Sequence, residues 1–224
     1  MTAGDVKPAE GLAAQHRREI VDAAERLVKE KGLHNLKLRD IAKESGKSLG
    51  NLYNYFQNKE AIIEALVERE KDRFLSTISR TKIEFLEGET PVDRMRRNLE
   101  IIADAYMEPE SVRLAIFIAS EALVNPRVYE IMVAANRKLV EHVIDLVRDD
   151  PASSFENQDP ELLEARVVVT RAFLESLRGA ISFHPGADRK LLKRVTIDRL
   201  LAIWVWERAK ATGKRLVEVD DASA

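Results

Sequence analysis

Between Ser48 and Phe56 the chain reads SLGNLYNYF, nine residues in which polar groups and apolar anchors interleave. Asn51 and Asn54 carry amides whose donor and acceptor can pair with the edge of adenine, and the hydroxyls of Tyr53 and Tyr55 suit phosphate oxygens. Leu52 and Phe56 stand four apart, so on a helix both face inward. Gly50, Asn51, Tyr53, Asn54 and Tyr55 then point outward or sideways, and Gly50 leaves room for a nucleic-acid backbone to come close. The chemistry on offer is recognition by hydrogen bonds, with no bond made or broken. An ordinary three-helix bundle with a polar face has the same spacing, and the spacing alone fits both equally.

No other constellation competes with this one. The chain has no cysteine, which excludes a disulfide framework, thiolate catalysis and sulfur-ligated zinc. His16, His34, His142 and His184 never fall at i, i+3 or i+4 to one another, so no metal site and no cofactor is expected. Ser153-Ser154 sits in a polar stretch without the glycines of a nucleophile elbow, and no phosphate-binding glycine pattern occurs. Arg94, Arg96 and Arg97 could steer an anion, although a solvated helix face is the plainer reading. These absences point away from an enzyme.

The elements that must position the polar run follow from composition and period. The 224 residues hold 36 Lys+Arg against 38 Asp+Glu, and 45% are hydrophobic, enough for a sizeable core. Residues 1–60 carry 11 basic and 9 acidic side chains, so a mildly basic N-terminal part precedes an acidic body. The most apolar stretch, Leu200 to Trp206, is far short of the roughly 20 residues of a membrane span. The first ten residues have no apolar segment of the secretory kind. A cytoplasmic protein without a membrane partner is the expectation.

Apolar residues recur at helical spacing almost throughout, with few Gly and Pro to interrupt them. Ile20, Ala24, Leu27 and Val28 form a stripe that ends at Gly32, a C′ glycine. Leu38, Ile41 and Ala42 mark a short helix broken at Gly46, and Ser48 is placed to cap the next, Leu49 to Tyr55. A long helix from Lys59 is expected to stop at Gly88. Thr90-Pro91-Val92-Asp93 reads as an N-cap with Pro at N1 and an acid at N3. Further helices are expected to about Met107, over Val112 to Ala119, from Pro126, over Glu161 to Phe183 and over Asp188 to Thr212, with a loop at Asp149 to Pro160. The Val167-Val168-Val169 run is β-prone but sits in a helical pattern. The fold class is all-α with about nine helices: a tail over 1–14, a helix-turn-helix domain over 15–60, a larger helical domain over 61–213 and a tail over 214–224.

The residues themselves add a resemblance. The stretch from Arg18 to Leu66 is similar to the DNA-binding segment of TetR-family transcriptional regulators, whose pattern is A-x-x-L-F-x-E-x-G, I-A, G-V-S, L-Y-x-H-F and S-K-E. This chain has Ala24, Leu27, Glu30 and Gly32; Ile41-Ala42; Gly46 and Ser48; Leu52-Tyr53 and Phe56; and Lys59-Glu60. The resemblance implies DNA contacts by Ser48, Leu49, Gly50, Asn51, Tyr53, Asn54, Tyr55 and Lys59, with Lys37 and Arg39 at the second helix. Three positions depart from the pattern. Lys37 replaces the usual capping Thr or Ser, which leaves that cap to Asn35 or absent. Lys47 replaces the Val, removing an apolar brace and adding a positive charge beside the turn, where it is a further candidate DNA contact, and Tyr55 replaces the His.

The resemblance further implies a body with an effector cavity, closed by two long dimerisation helices. Leu163, Val167, Phe173, Leu174, Leu177, Leu192, Val195, Leu200, Ile203 and Trp204 offer more apolar surface than one face needs, and an intermolecular four-helix bundle would bury the excess. A cavity lined by Met95, Leu99, Ile102, Tyr106, Phe117, Tyr129, Met132 and Phe173 would suit a hydrophobic or amphipathic molecule, with an anionic group near Arg113 or Arg171. The expected protein is a homodimeric repressor that leaves a pseudo-palindromic operator when that molecule binds. An architectural DNA binder without effector and a helical small-molecule carrier are the alternatives.

Overall fold

The computed structural model describes residues 8–79, 86–149 and 159–213. Among them it forms nine helices and no strand: α1 (Pro8–Lys31), α2 (Leu38–Glu44), α3 (Leu49–Tyr53), α4 (Lys59–Ile78), α5 (Pro91–Met107), α6 (Pro109–Ala122), α7 (Pro126–Asp149), α8 (Pro160–Phe183) and α9 (Arg189–Thr212). No helix of the described residues is long and apolar enough to cross a membrane.

The helix boundaries follow local chemistry. Thr90 Oγ1 accepts the Asp93 N–H while the Asp93 carboxylate accepts from the Thr90 N–H, so the expected N-cap of α5 is a reciprocal capping box ahead of Pro91. Asp159 and Asp188 cap α8 and α9. Gly32 and Gly46 adopt φ of 80° and 69°, the left-handed turn that L side chains resist, and both stand where the apolar stripes break. Several boundaries differ from the sequence reading. Helix α1 begins at Pro8, inside the stretch expected to be a tail, and α3 ends at Tyr53 with Asn54 as its C-cap. Helix α4 closes at Ile78, short of Gly88. The segments 1–7, 80–85, 150–158 and 214–224, with Ser153-Ser154 and the C-terminal tail, lie outside the described residues.

The chain divides into two compact units. The first combines residues up to Lys71 with Arg113–Ala135. Its core joins Ile20, Ala24 and Val28 of α1, Ile41 of α2, Leu52 of α3, Phe56, and Ile62, Ile63 and Leu66 of α4. Leu114 and Ile118 of α6 and Val128 and Ile131 of α7 complete it. The expected boundary at residue 60 falls inside this unit, and the helix-turn-helix shares its core with residues 113–135. The second unit holds Asp72–Val112 and the chain from Asn136 onward. Helices α5, α8 and α9 pack on one another there, around Leu99, Ala103, Tyr106, Leu174, Leu177, Ile197, Leu200 and Leu201. A smaller cluster, Val140, Ile144, Leu163 and Val167, joins α7 to α8.

Candidate nucleic-acid interface

Helix α3 is short, and every feature that fixes it is local or one helix away. Ser48 Oγ accepts the Asn51 N–H at 3.1 Å, the expected N-cap. Leu52 is 0% and Phe56 1% exposed, so both anchors are in the core as their spacing requires. Burying each contributes on the order of 1.5–3 kcal/mol. The opposite side stays open: Ser48, Gly50, Asn51, Tyr53 and Asn54 are exposed, and Leu49, Tyr55 and Lys59 are partly covered. Lys37 and Arg39 are exposed at the start of α2. Lys37 is the N-cap residue of that helix and makes no capping hydrogen bond. Asn35 does not substitute for it, since its amide donates back to the Lys31 carbonyl at the end of α1.

Lys47 is placed otherwise than the sequence reading has it. Its ammonium donates to Glu19 Oε2 at 2.7 Å and lies 2.8 Å from His16 Nδ1, and its side chain is only 10% exposed. The charge that replaces an apolar brace is thus turned onto α1 as an ionic one. Hydrogen bonds from Lys47, then His16 and Gln15, hold the Glu19 carboxyl down at about 2, from an ordinary 4.5. The same face of α1 grips the segment after α3. Arg17 stacks over the Phe56 ring at 4.2 Å and donates to the Tyr55 carbonyl at 3.1 Å, while the His16 and Tyr55 rings meet edge to face. Asn58 caps α4 by accepting the Ala61 N–H. His16, Arg17, Glu19 and Asn58 escape sequence reasoning; the one available signal was a lysine at an apolar position, which demands an acid nearby.

Helix α4 is tied back to α1 by Arg69, whose guanidinium pairs with Asp22 and Glu25 and donates to the Val21 carbonyl at 3.0 Å. Arg26 reaches Glu44 at 2.9 Å and joins α1 to α2. The unit presents an open polar helix on a braced three-helix frame, which is the geometry a major groove, roughly 12 Å wide, admits.

The residues expected to line one cavity are divided between the two units. Leu99 and Tyr106 lie in the core of the second unit, with Met95 and Ile102 packed against it. Phe117 and Met132 pack on the core of the first unit, Phe117 within 3.5 Å of a Cβ at Gly32. Tyr129 is 55% and Phe173 37% exposed. Arg113 is not free to meet an anion, because it donates to the Lys29 carbonyl at 2.8 Å. Nor are Arg94, Arg96 and Arg97 a solvated face: Arg94 is buried, Arg96 reaches Asp198, and Arg97 forks onto Glu89 at 2.7 and 2.9 Å.

The dimer residues need a larger correction. Leu163, Val167, Leu174, Leu177 and Leu200 are buried within a single protomer, Leu192 packs on its core, and Trp204 is half-buried. Of the ten, Phe173, Val195 and Ile203 are exposed. The exposed large apolar residues of the closing helices are Leu162, Val168, Val169, Phe173 and Phe183 on α8, and Leu191, Val195, Ile203 and Trp206 on α9. Leu162, Val169 and Phe173 are spaced seven and four apart, and Leu191, Val195 and Trp206 lie on one face in the same way.

A capped, braced, outward-facing short helix set in an all-helical chain defines a helix-turn-helix protein. Residues 20–66 match the family model described as bacterial regulatory proteins, tetR family. Over 134 residues the chain is 31% identical to the HTH-type transcriptional regulator UidR of Escherichia coli strain K12, a match covering 59% of this chain and 65% of that protein, so it spans just under two thirds of the relative's length. GusR of Salmonella enterica superposes with a TM-score of 0.64 at 22% identity, covering 94% of this chain and 98% of its own. A transcriptional regulator from Saccharomonospora viridis, solved in complex with choline, gives 0.61 at 18% identity, covering 83% and 95%. At these identities the two structures speak for the fold. Residues 20–66 are thus similar to the DNA-binding segment of TetR-family regulators, and the described helices share the fold of the structures named above.

Proposed function

We propose that the protein is a dimeric, ligand-responsive repressor that binds a pseudo-palindromic DNA site and is released from it by a small molecule. The observation that carries the reading is the exposed Asn51, Tyr53 and Asn54 edge of α3, anchored from behind by Leu52 and Phe56. Asn51 and Asn54 would read base edges, while Tyr55, Lys59, Lys37 and Arg39 would hold phosphates. The open apolar stripes of α8 and α9 support pairing with a second copy, whose two-fold axis would set two α3 helices roughly 34–36 Å apart. The effector would bind in the second unit, near Leu99, Ile102 and Tyr106, as an apolar or amphipathic molecule. It would act by preferring the conformation with the reading helices misplaced, a coupling typically worth about 1–3 kcal/mol.

Selection of bound duplexes from a random DNA pool by the full chain tests this reading. A two-fold symmetric consensus that competes at least about a thousandfold better than random DNA is expected. Enrichment of no sequence would overturn it in favour of an architectural binder.

A further inference from the structure

Helix α8 sends two arginines, Arg171 and Arg178, towards Tyr106 of α5, and the two differ in what satisfies them. They stand seven residues apart, two turns along one face. The Arg171 guanidinium donates to Glu175 Oε1 at 2.6 Å and Asn136 Oδ1 at 3.2 Å, and its Nε lies 3.4 Å from the Tyr106 hydroxyl oxygen. It has its counter-charge. Arg178 lies over the Tyr106 ring, 4.7 Å from ring centre to guanidinium carbon. Its Nε is buried and has no hydrogen-bonding partner among the described residues.

A buried donor on a charged group costs free energy unless an acceptor reaches it, and the acceptor of choice for a planar fork is an oxyanion. Tyr106 adds a second donor. Its hydroxyl oxygen can accept from Arg171, which leaves its own O–H without an acceptor among the described residues. Burial pushes the phenol above its usual range, so the proton stays on the oxygen. The surroundings of this polar spot are apolar, with Phe74 edge-on to the Tyr106 ring at 4.7 Å and Leu174 and Leu177 in the same core. Two arginines against the single carboxylate of Glu175 leave one positive charge over, which matches a monoanion better than a doubly charged phosphate.

We propose that Arg178 and the Tyr106 hydroxyl receive the carboxylate of the effector, with Arg171 held by Glu175 as the positioning residue behind them. The ligand class is then an apolar monocarboxylate. The inference rests on the ligand-responsive reading above, and it narrows the effector from an amphipathic molecule to an acid whose head group has a named receptor.

The test uses the full-length chain and three acids, hexanoate, decanoate and 4-phenylbutyrate, each beside the primary alcohol of the same skeleton. Binding is followed by calorimetry and melting temperature. At least one acid is expected to bind about tenfold or more tighter than its alcohol, the loss that one charged hydrogen bond represents. Arg178→Met should bring that ratio close to one, Tyr106→Phe should reduce it severalfold, and Arg178→Lys should keep part of it. Acids that never exceed their alcohols, or a preference that survives in folded Arg178→Met, would overturn the proposal. Should Arg178→Met not fold, an undiminished preference in Tyr106→Phe does the same. The two readings fail separately. An acid bound through Arg178 that leaves the DNA complex intact sinks the regulatory reading alone, and release by neutral apolar compounds only sinks the anion site alone.

Discussion

Lys47 and Glu19 meet at 2.7 Å across 28 residues of sequence, and that contact fastens the turn of the helix-turn-helix to the helix beneath it. The Glu19 carboxyl sits at about 2 against an ordinary 4.5 because the folded state favours its charged form. The stability linked to this lowering is present above about pH 4.5 and is lost as pH falls towards 2. Glu19→Gln should therefore flatten the acid arm of melting temperature against pH between those values. It should also weaken DNA binding near neutrality, since the turn loses its ionic brace. An acid arm of wild-type steepness in the variant would show that the pair does not couple to folding.

Gly50 separates folding from recognition in a single substitution. Its backbone is helical, and a Cβ built there has nothing within 4 Å, so alanine fits the folded protein. Gly50→Ala should stabilise the chain by roughly 0.5–1 kcal/mol through the unfolded state. The added methyl faces the proposed DNA side, and affinity should fall at the same time. A stabilised variant with unchanged affinity would remove Gly50 from the contact surface.

Asn51→Ala and Asn54→Ala should relax preference at particular base pairs, each by about 1–3 kcal/mol if a bidentate pair is lost. Lys59→Ala should instead weaken binding to all duplexes alike and lower the salt slope by about one. Competition titrations with single-base variants of the selected site distinguish the two patterns. Equal losses on specific and random DNA for both Asn variants would refute base reading.

Val169→Glu and Trp206→Glu alter residues that one protomer leaves open, 56% and 54% exposed. Each should yield a folded monomer near 25 kDa by light scattering. Leu177→Ala removes a fully buried side chain and should cost about 2–5 kcal/mol in the protomer itself. Val169→Glu and Trp206→Glu proteins that both remain dimeric would place the interface elsewhere.

What the sequence made legible was local. Ser48, Leu52 and Phe56 declare themselves within one helix, and Thr90 with Asp93 within one turn, because cap and period act over a few residues. Partners far along the chain left little trace. Nothing near Lys47 names Glu19, and nothing near Arg113 names the Lys29 carbonyl. Leu177 and Leu200, expected at a dimer seam, lie in the core of one protomer for a related reason. Period tells which face is apolar, but the covering surface of those two proved to be their own protomer, and the open residues were their neighbours Val169 and Trp206. Phe117 and Met132 pack on the first core, because α6 and α7 give their stretch 113–135 to it.

That shared core bears on how such a protein can be recombined. A segment cut at residue 60 or 71 and spliced onto another helical body would leave Leu114, Ile118, Val128 and Ile131 behind, and the core that holds Ile20, Leu52 and Leu66 would lose that part of its packing. The transplantable module is discontinuous: it must carry 113–135 as a second graft, or be joined to a recipient whose own residues fill the same volume. Exchange of DNA specificity is accordingly easier at single exposed positions of α3 than by swapping the first third of the chain.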